Sequence, residues 1–141
     1  MSLLLDTNVI SEWVKPRPDP GVVAWLAGVD EDQVFISVIT LAEIRRGVDR
    51  MPAGVRRDRL DVWLQNDLPA RFDMRIIPVD DAVALAWGCI VARREASGRP
   101  INAMDAFIAA TAEAHTLTLV TRNVADFERS VEVIVNPWIE R

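Results

Sequence analysis

The chain has 141 residues, half of them hydrophobic and 26% charged, with a formal net charge of −5. That length supports one domain with a substantial core, and the composition excludes a disordered chain. The negative balance excludes a protein that binds nucleic acid through overall positive charge, and the single cysteine, Cys89, excludes an intramolecular disulfide.

The first predicted element is Leu3-Leu4-Leu5, an unbroken apolar run that ends at Asp6-Thr7-Asn8. Three leucines without polar alternation read as a central parallel strand covered on both faces, and ligands of open α/β sheets sit beyond the carboxyl ends of such strands. Asp6 is therefore placed where chemistry occurs, although Asp is also a preferred N-cap for a helix beginning at Thr7. That helix is expected to run from Thr7 to Lys15 and to stop at Pro16, Pro18 and Pro20. A second helix is expected over Gly21 to Ala27, a strand over Gln33 to Ile36, and a helix over Val38 to Arg50 capped by Ser37. After Met51-Pro52-Ala53-Gly54, an amphipathic helix is expected from Val55 to Phe72, with Leu60, Trp63, Leu64 and Leu68 at helical spacing.

Arg75 to Val79 reads as the third strand, and Asp80 or Asp81 opens a long helix to about Ser97, with Gly98 beyond its end. This helix contains the longest apolar run, Ala82 to Ala92, which is too short to span a bilayer and reads as a core helix enclosing Cys89. Asn102 caps an alanine-rich helix to about His115, Thr116 to Thr121 is the fourth strand, Val124 to Glu128 a helical turn, and Val131 to Val135 the last strand. Strands alternating with helices predict an α/β domain over 1–141, with a central parallel sheet of about five strands flanked by helices. The run of three apolar residues before Asp6 is too short for the apolar region of a secretory signal, and the expectation is a cytoplasmic protein.

Further acids are placed near Asp6. Asp105 lies three residues after the cap Asn102 on a helix with no basic residue three or four positions away. A buried carboxylate needs a partner, a metal or a proton, whereas an acid in a first turn is also favoured by the helix dipole alone. Asp126 stands three residues after Asn123, beyond the strand ending at Thr121. In a parallel layout both helix starts lie at the sheet edge that carries Asp6. Glu43 is different: on an ideal helix it points away from the stripe of Leu41, Ile44 and Val48, which predicts a surface residue near Arg46.

The positive charge is clustered. Arg45, Arg46, Arg50, Arg56, Arg57 and Arg59 are opposed only by Asp49 and Asp58 between residues 45 and 59, and Arg93, Arg94 and Arg99 only by Glu95. Either group reads as a phosphate contact or as a solvated helix face.

Four stretches together resemble a known family: Leu4-Leu5-Asp6-Thr7-Asn8, Thr40-Leu41-Ala42-Glu43-Ile44-Arg45-Arg46-Gly47, Asp105-Ala106-Phe107-Ile108-Ala109-Ala110-Thr111-Ala112, and Leu119-Val120-Thr121-Arg122-Asn123-Val124-Ala125-Asp126-Phe127. In this order and spacing the chain is similar to the PIN-domain ribonucleases, and within them to VapC and FitB-type toxins of bacterial toxin–antitoxin pairs. The resemblance covers nearly the whole chain, and it implies a PIN-like fold, a catalytic and metal-binding set of Asp6, Glu43, Asp105 and Asp126, and supporting polar roles for Thr7, Asn8, Thr121 and Asn123. For Glu43 it opposes the surface reading. It also implies an RNA substrate, a homodimer and a cognate antitoxin lying across a hydrophobic groove, for which Trp25 and Trp63 are candidates. Arg45, Arg46 and Arg50 are candidate RNA contacts.

Four carboxylates in one crevice raise one another's pKa unless a cation sits between them, and oxygen-only ligation selects Mg²⁺ or Mn²⁺. Phosphotransfer through Asp6 is disfavoured, because Lys15 is the sole lysine and Asn8 stands where a second acid is needed. The one histidine, His115, is placed near a helix carboxyl end, and no glycine-rich phosphate loop is present. A binding module with little or no catalysis remains the alternative.

Overall fold

The computed structural model describes residues 1–139. The expected single unit over 1–141 extends to two further residues, which lie outside the described ones. The elements follow the predicted alternation: β1 (Leu3–Leu5), α1 (Thr7–Glu12), α2 (Pro20–Ala27), a 3₁₀ turn (Glu31–Gln33), β2 (Val34–Ser37), α3 (Val38–Asp49), α4 (Val55–Val62), α5 (Leu68–Arg71), β3 (Ile76–Ile77), α6 (Asp81–Ala96), α7 (Ala103–Ala114), β4 (Thr118–Val120), α8 (Val124–Phe127) and β5 (Ile134–Val135). The five strands form one sheet in the order β3-β2-β1-β4-β5, and every pairing is parallel.

β1 occupies the centre, with Leu3 and Leu4 opposite Val34 and Phe35 on one side and Thr118 and Leu119 on the other. Its side chains alternate between two cores, as the period of a strand requires. Leu3 and Leu5 join Val34, Ile36 and Val120 in a layer with Val9, Ile10, Val22 and Phe72. Leu4 joins Leu119 in a second layer with Val83, Ile90, Ile108 and Phe127. Both faces of the strand are thus covered by helices, which is why its sequence carries no polar alternation. Burial on both faces leaves the carboxyl end of β1 as its one opening, and Asp6 stands there.

Two expectations are corrected. The continuous helix over Val55 to Phe72 is interrupted by a π-helical stretch at Trp63–Asp67. Pro69 lies one residue into α5. It supplies no N–H, and its ring would strike the carbonyl one turn back, so the preceding turn widens. The second correction concerns α6, which is not wholly a core helix: Val83 and Ile90 are buried, but Leu85 is 73% exposed and Cys89 is exposed. The apolar run wraps the full circumference of this helix, whereas the sheet and α7 cover only part of it.

The other differences move element ends: α2 gains Pro20, β2 is shifted one residue to end at Ser37, and several other elements are shorter. The first helix stops at Glu12, because the buried Glu12 carboxylate accepts from Asp19 N–H (2.7 Å) and Lys15 Nζ (2.9 Å) and folds the chain back before the prolines. Among the described residues no helix is long and apolar enough to cross a membrane.

Candidate active site

Asp6 is both a strand terminus and a cap. It continues the ladder by donating its N–H to Val120 O at 2.9 Å, and its Oδ1 accepts the Thr7 N–H at 2.8 Å to start α1. The two readings of the sequence at this position are therefore both realised by one side chain. Its second oxygen, Oδ2, accepts the Thr121 hydroxyl at 2.8 Å and the Asn8 amide at 3.4 Å. Thr121 Oγ1 in turn accepts the Asn123 N–H at 3.0 Å and the Asn8 amide at 3.3 Å. This closed set joins the end of β1 to the end of β4 and leaves the carboxylate only 5% exposed. Burial, with smaller contributions from the charges of Glu43 and Asp105, pushes the Asp6 carboxyl up to about 6 against the opposing bonds from Thr121 and Thr7.

Glu43 sits on α3 and reaches back to α1. Its Oε1 accepts the Thr7 hydroxyl at 2.6 Å, and the Thr40 hydroxyl lies 3.4 Å from the same Thr7 oxygen. The surface position expected from helical periodicity is corrected. The stripe of Ile44 and Val48 packs into the core beneath, but the start of α1 covers the adjacent face of α3, a tertiary contact to which periodicity is blind.

Asp105 opens α7. The Asn102 side chain accepts its N–H at 2.9 Å and donates to its Oδ2 at 2.7 Å, so cap and acid hold each other. Partial burial raises the Asp105 pKa, the Asn102 bond opposes this, and the charge of Asp126 raises it again. Asp126 lies in the single turn of α8 and is exposed. Mutual repulsion therefore runs from Glu43 to Asp6, from Asp6 to Asp105, and from Asp105 to Asp126, so all four acids share one electrostatic neighbourhood.

The supporting residues divide. Thr7, Asn8 and Thr121 contact an acid directly through their side chains. Asn123 contributes its backbone N–H, and its side chain makes no cap for α8. Of the candidate RNA contacts, Arg45 is committed to ion pairs with Asp49 (2.6 Å) within α3 and with Asp61 (2.7 Å), the latter fastening α3 to α4, while Arg46 and Arg50 are exposed. Trp63 lines a groove of about 530 Å³ with Val14, Val55, Arg56, Arg59 and Leu60. Trp25, like Trp63, packs against the first core layer, but it does not line this groove.

Sequence reasoning treated two residues only as members of a motif or a charge cluster. Thr40 lies in a quoted motif, but nothing in the spacing directs it to Thr7. Arg94 reads as surface charge, yet it is buried and donates to Ser130 Oγ (2.8 Å), Arg99 O (2.7 Å) and Asp126 O (3.3 Å), fastening α6 to the turn that carries Asp126.

An acidic cluster whose most buried member is pushed toward neutrality is suited to a hard cation. Among the described residues no three His, Cys, Asp or Glu side chains are gathered into a metal cage. The oxygen-only donor set of the four acids is of the chemical type that suits a hard divalent ion which keeps several waters.

Comparison with known proteins agrees with this layout. Residues 3–130 match the PIN domain family model. The chain is 40% identical over 136 residues to the toxin FitB of Neisseria gonorrhoeae, covering 96% of this chain and 98% of that protein. It is 38% identical to the VapC ribonuclease Y4jK of Sinorhizobium fredii, covering 96% and 97%. The crystal structure of FitAcB from Neisseria gonorrhoeae superposes with a TM-score of 0.92 at 39% identity, covering 98% of this chain and 99% of that one. The match spans β1 through α8 and so includes all four acids: the chain belongs to the PIN domain family.

Proposed function

We propose that this protein is a divalent-metal-dependent endoribonuclease toxin, one PIN domain over 1–141, held in check by a cognate antitoxin. The observation that carries the reading is Asp6, a buried carboxylate at the end of the central strand, fixed by Thr7, Asn8 and Thr121 and crowded by Glu43 and Asp105. The names of its relatives, a toxin and a ribonuclease, support the substrate class.

Asp6 and Asp105 are the residues that would hold Mg²⁺ or Mn²⁺, with Glu43 and Asp126 completing the site or positioning the attacking water. The ion supplies polarisation of the phosphodiester, a lowered water pKa and compensation of the charge that develops on the scissile phosphate. The chain's own contribution is orientation. Thr121 and the Thr7 N–H hold the two Asp6 oxygens, Thr7 holds Glu43, and Asn102 holds Asp105. Such contacts fix the direction in which each carboxylate presents its free lone pairs.

The groove at Trp63, apolar at its floor and flanked by Arg56 and Arg59, is the surface proposed for the antitoxin. Leu85 and the exposed apolar part of α6 support a homodimer, checked by light scattering of the purified chain. The compartment consistent with an RNA substrate is the cytoplasm.

The test is cleavage of a mixed cellular RNA pool by the purified chain, freed of any copurifying partner, with Mn²⁺ or Mg²⁺ against excess chelator, beside Asp6→Asn. Discrete cuts that need the ion and vanish in the variant are expected. Ion-loaded, folded protein that leaves all RNA intact would overturn the reading and favour a binding-only module.

A further inference from the structure

Arg122 follows Thr121 at the sheet edge that carries the acids, and its two ends are fixed separately. Its backbone N–H donates to Asn8 Oδ1 at 3.3 Å, and the amide of the same Asn8 reaches Asp6 and Thr121. One side chain therefore ties the Arg122 backbone to the most buried acid. At the other end the guanidinium lies over the Trp138 ring, 5.4 Å from its centroid. Trp138 is itself seated, packed on the first core layer, with its N–H donated at 3.0 Å to the buried Asn136.

Among the described residues the charge of Arg122, which is exposed, has no ion-pair partner. It shares this with other exposed arginines such as Arg46 and Arg50, but Arg122 is the one whose backbone is tied through Asn8 to Asp6, whereas Arg45, Arg71 and Arg94 are committed to partners elsewhere. The backbone of Arg122 is anchored at the acidic edge through Asn8, and the ring of Trp138 holds its guanidinium to one side of the cluster rather than on one of the acids. A guanidinium already stacked loses little freedom when it accepts an anion, and its planar fork matches a phosphate. An RNA strand with one phosphate at the acids presents further phosphates on both sides of it.

We infer that Arg122, braced on Trp138, contacts an RNA phosphate flanking the scissile one and so sets the register of the strand over the acids. This rests on the nuclease reading proposed above. Arg122 is a binding residue, acting on the strand and not on the reacting atoms.

The experiment begins with the wild-type chain and the RNA pool in Mn²⁺, which supplies a mapped cut. Kinetics then follow on a short single-stranded oligoribonucleotide spanning that cut. Arg122→Gln is expected to raise KM about tenfold with kcat within about twofold, the pattern of lost ground-state binding. The slope of log KM against log salt should fall by about 0.7, the share of one phosphate on a single strand. Arg17→Gln, which removes the same charge from the loop after α1, should leave both quantities unchanged. Trp138→Leu should raise KM about threefold through loss of the ring beneath the guanidinium.

A neutral methylphosphonate placed in turn at each linkage flanking the cut needs no variant. One position should raise the wild-type KM about tenfold and have little further effect on Arg122→Gln. If the wild type cuts while Arg122→Gln matches it in KM and salt slope, or if no neutral flanking linkage alters the wild-type KM, the inference is overturned and the nuclease reading stands. If the wild type cuts no RNA, both fall together.

Discussion

Asp6 and Asp126 each stand beyond the carboxyl end of a central strand, yet the two ends of the acidic cluster are built in opposite ways. Asp6 is buried, accepts three hydrogen bonds and closes the gap between β1 and β4. Asp126 is exposed on a single helical turn, and its side chain makes no hydrogen bond or ion pair among the described residues; only its backbone is held, by Asn123 and Arg94. Glu43 belongs with the first by its short bond to Thr7, and Asp105 lies between the two, tied by one asparagine. The inner pair is fixed before any ligand arrives, and Asp6 carries the cost of its burial. At the outer end Asp126 is the acid whose side chain can adjust to an ion and a strand.

The largest expected effect is on catalysis. Asp6→Asn should lower kcat/KM by about 10³-fold or more, whereas Asp126→Asn should lower it by about 10- to 100-fold, because water can replace an exposed carboxylate more readily than a buried one. Equal losses in the two variants, measured on one oligoribonucleotide, would erase the distinction between the inner and outer acids.

The second effect is on stability of the metal-free protein. The Asp6 pKa rises from 3.8 to about 6 on folding, so the folded state binds the proton more tightly than the unfolded state. The stabilisation from protonated Asp6 is fully present below pH 3.8 and is lost as pH rises through about 6. The gap corresponds to a stability change on the order of 3 kcal/mol. In chelator, the wild type should therefore gain stability relative to Asp6→Asn between pH 7 and pH 5, read from urea midpoints of both proteins. Parallel pH profiles would show that Asp6 carries no such strain. Saturating Mn²⁺ at pH 7 should raise the melting temperature of the wild type and leave Asp6→Asn little changed.

Two smaller changes probe the supports. Thr121→Val keeps the shape of a fully buried side chain but removes the donor to Asp6 and the acceptor for Asn123 N–H. It should cost about 1 to 3 kcal/mol by chemical denaturation, since buried partners are left unpaired. Asn102→Ala removes the cap that holds Asp105 and should cost about 1 kcal/mol. A larger loss at Asn102 than at Thr121 would place the rigid part of the site at α7 instead of at β1.

Much of this arrangement was legible before any coordinates. The unbroken leucines announced a strand buried on both faces, and the alternation of strands with helices announced a parallel sheet. The positions of Asp105 and Asp126 at helix starts then brought them to the Asp6 edge by topology alone. Glu43 was not legible from periodicity, because periodicity reports which face of a helix meets the core and not which second helix lies over another face. The resemblance to PIN-domain ribonucleases supplied what periodicity lacked. Leu85 and Cys89 failed for a related reason: an apolar run says how much surface a helix could bury, and only its neighbours decide how much is covered.

Local chemistry by itself determined the strands and the caps at Asp6, Ser37 and Asn102, since each depends on residues adjacent in the chain. Only the tertiary structure decided that Thr121 would hold Asp6 across 115 positions, that Thr7 would hold Glu43, and that Arg122 would lie on Trp138. These contacts join segments that meet only when the parallel sheet has closed, and hydrogen bonds and ring contacts require distances that spacing along the chain does not encode.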